Sequence, residues 1–383
     1  MRNDNKHILF LATEFDAPGM RPYARAIINA MWKTGDHVLI VTRYGTDLEG
    51  LDKVAPESIT WIDYPTSKPR RAVFRYWPTQ VNKVIDHFVT TQGISIVYSL
   101  TGELILARCI QRLQRTVPVL YTVHDAVFHD YKFSTLTRWL KDKFIIEWPQ
   151  RYLFKHARHM VTNSHEQLQY IGQHYPGHET YYAPFPTLVN NTIATGGQEV
   201  PELQAIDTSN GYILFFGTIH LYKGVHLLYE TYRTRRELQE VPLVIAGTGN
   251  IYFERGNDEK NVVFINRFID DSELRDLFSR AATVVYPYIS ATQSGVTSIA
   301  AFFDKPMVLS DLPFFKQVCE DHNGVKFFTT GNDEALADAI LRSLHSPTST
   351  REIYEQNYSP QAMKSALDSI VNSILSPNEP MRK

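Results

Sequence analysis

The sequence has few cysteines and no long apolar run, and both absences limit what the protein is. Cys109 and Cys319 are the only cysteines among 383 residues and lie far apart, which disfavours a disulfide framework and favours a reducing compartment. No apolar run approaches the roughly 20 residues of a membrane helix. The first residues, MRNDNKHILFLAT, lack the apolar core and cleavage site of a signal peptide. We therefore expect a cytoplasmic protein, with Cys109 in its core.

Two glycine-rich nucleotide signatures are also missing. A dinucleotide-binding protein carries G-x-G-x-x-G after its first strand, whereas the near match here, Gly247-Thr248-Gly249, has Tyr252 in place of the third glycine. The phosphate loop G-x-x-x-x-G-K-[ST] does not occur in the sequence. Neither a dinucleotide-dependent enzyme nor a P-loop phosphotransferase is therefore expected.

Size and charge indicate two domains with different partners. Hydrophobic residues make up 43% of the chain and charged residues 21%, which is typical of a folded protein, and 383 residues are too many for one ordinary core. The net charge of −2 hides an asymmetry, because residues 1–185 carry 22 basic and 17 acidic side chains, whereas residues 186–383 carry 17 and 24. The overall balance is not basic, so nucleic acid is not an expected partner.

Basic and aromatic residues cluster twice in the first half, at KPRRAVFRYW (68–77) and QRYLFKHARH (150–159). One interpretation is an ordinary solvated surface. The other is peripheral contact with an anionic membrane surface or with a lipid diphosphate.

Short apolar runs alternate with helical patterns, which predicts an α/β fold with doubly wound parallel sheets. The predicted strands are 7–13, 37–43, 95–100, 117–125, 159–164, 211–218, 242–249, 261–268, 282–288 and 305–311. The predicted helices are 21–35, 102–115, 223–239, 270–281, 295–303, 313–320, 333–345 and 352–375. The stretch 181–210 reads as an interdomain linker and loop. We expect one domain at 1–185, joined by a C-terminal helix within 355–383, and a second domain at 186–354.

Two loops of the second domain have the form of an anion site. After the apolar run that ends at Pro287, Gln293, Ser294 and Gly295 precede a helical segment, and such a loop directs backbone N–H groups at an anion. In FFGTIHLYKGVHLL (215–228), Gly217 ends a strand and Lys223 begins the next helix, where its ammonium group could bind a phosphate. The alternatives are a glycine that only starts a helix and an ordinary surface lysine.

These segments together resemble the family-4 glycosyltransferases of the GT-B fold. GTIHLYKG, IAGTGN, VVFINR, YPYISATQSGV and AAFFDKPMV occur in that family's order across 211–345, and the resemblance is weaker over the first half. It implies two Rossmann-like domains facing across a cleft, and transfer of a sugar from a UDP- or GDP-linked donor to a glycan or lipid-linked acceptor. It also implies a retaining hexosyltransferase without an essential metal or cofactor. The ATQSGV form is similar to bacterial surface-polysaccharide enzymes.

The resemblance also assigns roles to residues. In the second domain, Lys223 matches the phosphate lysine, Ser294, Gly295 and Val296 match the phosphate loop, Gly217 permits close approach of the backbone, and Arg267 and Phe268 fall beside the base. In the first domain, His124 matches a histidine near the reacting sugar, with Asp125 a weaker candidate. Gly19, Met20 and Arg21 match the loop near the donor phosphates and the acceptor. His124 as a purely structural histidine is the alternative.

The sequence departs from the family pattern at several of these positions. Thr218 replaces the usual phosphate arginine, and His220 is a partial substitute. Thr292 or Ala291, and Ala300 or Ile299, stand where two glutamates usually contact the sugar and the ribose, so Gln293 is the remaining candidate for the sugar contact. The donor therefore stays open, as do two other functions: a GT-B protein that binds without catalysis, and a UDP-sugar epimerase.

Overall fold

Two parallel sheets organise the protein in the computed structural model, which describes residues 6–15, 20–43, 51, 53–126, 143–256, 259, 261–290, 295–320 and 322–376. The chain divides into two compact units. The first comprises Met1–Pro186 with Pro360–Lys383, and the second comprises Thr187–Ser359. Among the described residues, no helix is both long and apolar enough to cross a bilayer.

The sheet of the first unit has seven strands in the order β3-β2-β1-β4-β5-β6-β7, and all neighbours run parallel. These strands are β1 His7–Ala12, β2 His37–Thr42, β3 Ile59–Asp63, β4 Ile94–Thr101, β5 Val119–Val123, β6 His159–Thr162 and β7 Glu179–Tyr182. Successive strands are added on one side of β1 and then on the other. The winding therefore reverses between β1 and β4, the position where doubly wound sheets bind ligands at their carboxyl ends.

The sheet of the second unit has six parallel strands in the order β10-β9-β8-β11-β12-β13. They are β8 Tyr212–Phe216, β9 Leu243–Ala246, β10 Val262–Ile265, β11 Ala281–Tyr286, β12 Met307–Ser310 and β13 Val325–Phe328. The winding reverses between β8 and β11, so the loops that follow these two strands meet at the switch point. The two described sheets confirm the predicted fold class of doubly wound parallel sheets.

Helices cover the sheets, and their bounds are as follows. In chain order they are α1 Met20–Met31, α2 Lys68–Tyr76, α3 Thr79–Thr91, α4 Glu103–Ala107, α5 Ile110–Leu113, α6 Trp148–His156, α7 His165–His174, α8 Asn191–Thr195, α9 Val225–Thr234, α10 Leu274–Ser279, α11 Val296–Phe302, α12 Pro313–Cys319, α13 Asp333–His345, α14 Arg351–Asn357 and α15 Pro360–Leu375. A π-helical turn at Lys143–Glu147 leads into α6.

The core follows from the alternation of side chains along apolar strands. In β1, Leu9 and Leu11 enter one core cluster of the first unit while Ile8 and Phe10 enter the other, because successive strand residues point to opposite faces. The second cluster also contains the apolar stripe of α15, whose residues Met363, Leu367, Ile370 and Val371 pack with those of α1. Burial of these apolar faces places the last helix on the first unit.

Several predicted elements differ from the observed ones. The strands β3, β7 and β13 were not predicted, because they are short and carry polar or half-buried residues at sheet edges. The stretch 181–210 is not a loose linker, since it contains α8 and buries Ile193, Val200 and Leu203. The single helix predicted at 352–375 is two helices, because Pro360 lacks the backbone N–H that would continue α14.

The predicted helix at 102–115 is likewise divided, into α4 and α5. That at 223–239 contains α9 between two 3₁₀ turns. Cys109 is a buried free thiol, and burial raises its pKa to about 12.

Candidate functional site

The turn after β8 and the segment after β11 are packed directly together at the switch point of the second unit. The carbonyl oxygen of Tyr222 accepts a hydrogen bond from the backbone N–H of Ile289 at 2.8 Å. Gly224 has φ +65°, and a side chain there would clash with the carbonyl oxygen of Pro287. Glycine at position 224 therefore permits the lysine-bearing turn to lie against the segment that leads to the Gln293–Gly295 loop.

Lys223 is the main charged group of this turn, and it is buried. Its side chain is 9% exposed, and its Nζ lies 3.8 Å from the ring centroid of Tyr288 and 5.1 Å from that of Tyr222. Burial lowers the pKa of Lys223 to about 7. Within the described part of the chain, no ion pair or hydrogen bond engages Nζ. An ammonium held by aromatic faces without a counter-charge is suited to an incoming anion.

Gly217 and Thr218 lie at the end of β8, close to a neighbouring glycine turn. Gly217 has φ +145°, and its carbonyl oxygen occupies the space that a side chain at Gly247 would need. Thr218 and His220 are exposed, and the His220 ring lies 4.9 Å from the Tyr222 ring. Burial raises the pKa of the Tyr222 phenol, and a hydrogen bond with Thr218 opposes that shift. The Thr218 side chain therefore lies close to the Tyr222 hydroxyl.

The glycine turn after β9 lacks the dinucleotide signature and belongs to the IAGTGN motif of the family order, but none of its residues was predicted as a site residue. It continues the pairing of β8 and β9 past the strand ends, because Ile219 donates its N–H to Thr248 O at 2.8 Å and forms a bridge with Gly249. The side chain of Asn266 accepts from Gly249 N at 3.1 Å and donates to Gly249 O at 3.0 Å. These bonds fix the backbone beside the Lys223 turn. The sequence signal for this contact was the occurrence of GTGN followed by INR after two successive strands.

The guanidinium of Arg267 is fully engaged within the second unit. Its N–H groups donate to both carboxylate oxygens of Glu202, to both of Glu273, and to the backbone oxygen of Phe268, at 2.7–3.1 Å. The two carboxylates raise the pKa of Arg267, and the guanidinium lowers the pKa of each carboxyl. Five donors therefore have five acceptors. The Phe268 ring, at 70% exposure, is the part of this pair that faces outward.

Gly295 and Val296 lie at the start of α11. Gly295 has φ −78°, so the described conformation does not require glycine there, and its carbonyl oxygen accepts from Ser298 Oγ at 2.6 Å. Val296 O accepts from the Tyr286 hydroxyl at 3.1 Å, which ties the helix to the end of β11. Gln293 and Ser294, together with Gly19, Ala291 and Thr292, lie outside the described residues.

At the position of the usual ribose-binding glutamate, the chain presents no polar side chain. Ala300 is fully buried and Ile299 is 3% exposed. Both side chains pack into the core from α11, so neither can contact a ribose hydroxyl.

In the first unit, His124 follows β5 and is held in one tautomer. Its Nε2 lies 2.7 Å from Leu100 O; because a carbonyl only accepts, Nε2 carries the proton. Burial lowers the pKa of His124, which keeps the ring neutral and makes Nδ1 a hydrogen-bond acceptor. The Tyr23 ring packs edge-on at 4.8 Å, and Gln167 donates to His124 O at 3.0 Å. This is an oriented neutral imidazole.

Asp125, Glu103 and Arg21 lie near the same strand ends. The backbone oxygen of Asp125 accepts from the side chain of Gln150. Glu103 begins α4 directly after β4, and burial together with Asp125 raises its pKa. Arg21, in the first turn of α1, stacks over the Phe15 ring at 5.2 Å. Glu103 was not among the predicted site residues, and its place next to Gly102 after a buried strand was the available sequence signal.

Comparisons with known proteins place the chain in a family. Residues 210–346 match the model described as "Glycosyl transferases group 1", and residues 18–181 match the "Glycosyl transferase 4-like domain". Together the two models cover most of the chain. The protein therefore belongs to the family-4-like glycosyltransferases of the GT-B fold, as the motif order predicted. No curated protein sequence matches it.

Solved structures of similar fold extend over the whole chain. A sucrose-phosphate synthase from Thermosynechococcus elongatus is 17% identical with a TM-score of 0.69, and the match covers 97% of this chain and 99% of that one. HepE from Anabaena, solved with UDP-glucose, is 15% identical with a TM-score of 0.66, covering 96% and 99%. WaaG, a glycosyltransferase involved in lipopolysaccharide biosynthesis, is 14% identical with a TM-score of 0.61, covering 97% and 100%. These likenesses show a shared fold.

Proposed function

We propose that the protein transfers a hexose from a UDP- or GDP-linked donor to a glycan or lipid-linked acceptor in bacterial surface-polysaccharide assembly. The reaction proceeds with retention at the anomeric carbon and without a metal or other cofactor. Support comes from the family membership and from two neighbours: HepE was solved with UDP-glucose, and WaaG acts in lipopolysaccharide biosynthesis. The acceptor binds the 1–185 domain and the nucleotide sugar binds the 186–354 domain.

The observation that carries the proposal is the buried ammonium of Lys223. A diphosphate leaving group gains negative charge as the sugar departs, and a preorganised cation at that point stabilises the transition state. Lys223 is fixed against Tyr288 at the switch point of its sheet, and burial has lowered its pKa to about 7. Arrival of the diphosphate favours the charged form of Lys223 and offsets the desolvation that disfavours it.

The remaining residues divide between the two substrates. Gly217 and the Gly247–Gly249 turn let the backbone approach the donor, the exposed Phe268 ring stacks on the base, and Gly295 and Val296 lie beside the diphosphate. His124 accepts a hydrogen bond from a sugar hydroxyl at Nδ1. Asp125 is the weaker candidate for a contact near the reacting sugar. Gly19 and Arg21 lie in the loop that approaches the donor phosphates and the acceptor in the family. The remaining candidates for binding the donor are Thr218, His220, Gln293 and Ser294. The guanidinium of Arg267 binds the backbone oxygen of Phe268 and so supports the position of its ring.

A donor panel tests the proposal. UDP-, GDP- and dTDP-sugars are incubated with the full chain and a mixture of glycan acceptors, and nucleotide release and thermal stabilisation are followed for each donor. We expect one nucleotide class to stabilise the protein and to be released. Lys223→Met should strongly reduce both effects, whereas Lys316→Met, which removes an exposed lysine near Glu320, should not. Absence of both binding and release with every donor would refute the proposal.

Binding without transfer is a second candidate function, and the residues at the ribose position favour it. The buried Ala300 and Ile299 and the missing arginine at Thr218 leave fewer polar groups for the donor than the family usually has. Such a protein would be stabilised by a nucleotide sugar and release no nucleotide with any acceptor. The same panel therefore separates the two functions.

A further inference from the structure

The exposed large apolar side chains of the described residues fall into two groups. Leu221, Tyr222, Phe268 and Ile289 lie around the candidate donor site, where a nucleotide would cover them. Val73, Trp77 and Phe144 lie in the first unit, at 56%, 65% and 55% exposure, and sugar transfer gives them no role. Exposed apolar groups that gather at one place indicate an interaction surface.

The structure brings two separate segments of the sequence together at this second group. The Tyr76 hydroxyl, at the end of α2, donates to Phe144 O at 3.0 Å. Arg108 donates from Nε to Tyr76 O at 2.9 Å, and its guanidinium lies 5.7 Å from the Trp148 ring centroid at the start of α6. The segments 68–77 and 143–155 therefore form one surface, called here the basic aromatic face.

A pocket of about 510 Å³ opens on this face. It is lined by three cations, one carboxylate and three aromatic rings: Lys143, Phe144, Glu147, Trp148, Arg151, Tyr152 and Lys155. The α6 residues among them recur at intervals of three and four, so they occupy a single side of that helix. The walls are mostly apolar, formed by the aromatic rings and the aliphatic stems of the lysines and the arginine, which matches the hydrocarbon part of a lipid, and the charged ends of these stems match its phosphate.

The charge of the face is strongly positive. The segment 68–77 has four basic residues and no acidic one, and the segment 143–155 has three basic residues and Glu147. Glu147 accepts from Arg151 at 2.7 Å and lies 3.9 Å from Lys143. Arg75 pairs with Glu14 at 3.3 Å, and Asp86, on neighbouring α3, pairs with Arg112. No ion pair among the described residues involves Lys68, Arg70 or Lys155, so these three cations remain available to an anionic partner.

We propose that the basic aromatic face docks onto an anionic bilayer surface, with lipid hydrocarbon against the apolar pocket walls, lipid phosphate headgroups at the exposed cations, and Trp77 and Phe144 in the interfacial layer. Basic residues near such a surface are attracted to its negative potential, and exposed tryptophan prefers the headgroup region. A second copy of the chain is disfavoured as the occupant, because two identical positive faces repel each other. The inference concerns docking alone and does not require sugar transfer to be correct.

Vesicle flotation with the full chain tests the inference. Vesicles of phosphatidylglycerol with phosphatidylcholine are compared with phosphatidylcholine vesicles at low and high salt. Each basic residue near the surface is worth about 1 kcal/mol, so reversing Arg70 and Lys155 to glutamate should weaken binding at least about twentyfold. The matched control is Arg236→Glu with Arg275→Glu, which reverses two exposed arginines of the second unit.

Tryptophan emission tests the apolar part of the docking, which electrostatic attraction alone would not change. Trp77→Phe should keep vesicle binding while losing a large part of the blue shift of tryptophan emission, because phenylalanine preserves the apolar contact. The inference is supported by salt-sensitive binding to the anionic vesicles that is lost in the Arg70/Lys155 variant and retained in the control. It is overturned if the wild type does not float with anionic vesicles, if both double variants bind equally, or if the face mediates dimerisation without vesicle binding.

Discussion

Lys223 and Arg267 lie in the same unit, each in the turn after a strand of one sheet, yet they differ in what surrounds their charge. The Arg267 guanidinium has an acceptor for every N–H, whereas the Lys223 ammonium rests on the face of Tyr288 without a charged partner among the described residues. A cation whose N–H groups all have protein acceptors stabilises the fold. A buried cation without such acceptors can still form these interactions with a ligand. Whether a cation already has hydrogen-bond acceptors therefore distinguishes a structural cation from a candidate ligand group better than its residue type does.

The largest expected effect comes from removing the buried charge of Lys223. Lys223→Met should lower turnover by at least about a hundredfold, since loss of one preorganised donor to a developing negative charge has that magnitude. The folded protein should be no less stable at neutral pH, because a buried ammonium that lacks a partner is replaced by an apolar chain of similar length. Steady-state kinetics and thermal melting measure the two effects. A variant with full activity would remove Lys223 from the site.

Arg267→Ala should have the opposite profile. It leaves Glu273, whose side chain is 2% exposed, without its partner, and Arg267 itself is about one third exposed, so we expect a loss of about 2 kcal/mol in the free energy of unfolding. Urea denaturation measures this loss.

Phe268→Ala is the matched change for Arg267→Ala, because it removes an exposed ring without breaking the ion pairs. It should weaken nucleotide binding about tenfold through lost stacking and leave the unfolding free energy unchanged. A stable Arg267→Ala protein with weakened nucleotide binding would contradict the structural role of the guanidinium.

His124→Gln extends the comparison to the first unit. The glutamine amide can still donate to Leu100 O but lacks an acceptor at the Nδ1 position. We expect a protein that melts like the wild type and has about tenfold lower kcat/KM, the value of one hydrogen bond of about 1.4 kcal/mol. His124→Ala should also lose stability, because Leu100 O loses its donor. Equal activity of wild type and His124→Gln would make the histidine structural.

The smallest expected effect is the contribution of Lys223 to the pH dependence of the unfolding free energy. Its pKa is lowered from its ordinary value of 10.5 to about 7. Between these values the unfolded chain binds more protons than the folded one, so stability rises with pH from about 7 upward. The slope of unfolding free energy against pH should therefore be steeper in the wild type than in Lys223→Met.

Nucleoside diphosphate binding provides the complementary measurement. Near pH 8 it should be accompanied by proton uptake, because the diphosphate restores the charge of Lys223. Calorimetry in buffers of different ionisation enthalpy detects that uptake. No difference between wild type and Lys223→Met in slope or uptake would show that the ammonium is already solvated.

Much of the fold and part of the site could be predicted from local patterns. Buried parallel strands such as β1 and β8 are continuous apolar runs, and α13 has its predicted bounds, with Asn332 as its N-terminal cap. Edge strands such as β7 were missed because their residues are polar and because they form hydrogen bonds only with a strand from another part of the sequence. The ion pairs of Arg267 could not be predicted either, since Glu202 lies 65 positions away in the sequence.

The sequence by itself determined the alternation of strands and helices, the order of the family motifs, and the identity of the turn that carries Lys223. These properties depend on side-chain polarity and on neighbours a few residues apart. Tertiary structure alone decided which charges are satisfied, which tautomer His124 adopts, and that segments 68–77 and 143–155 share one face. Each of these outcomes depends on contacts between residues far apart in the chain, and burial then sets the electrostatic properties of the groups involved.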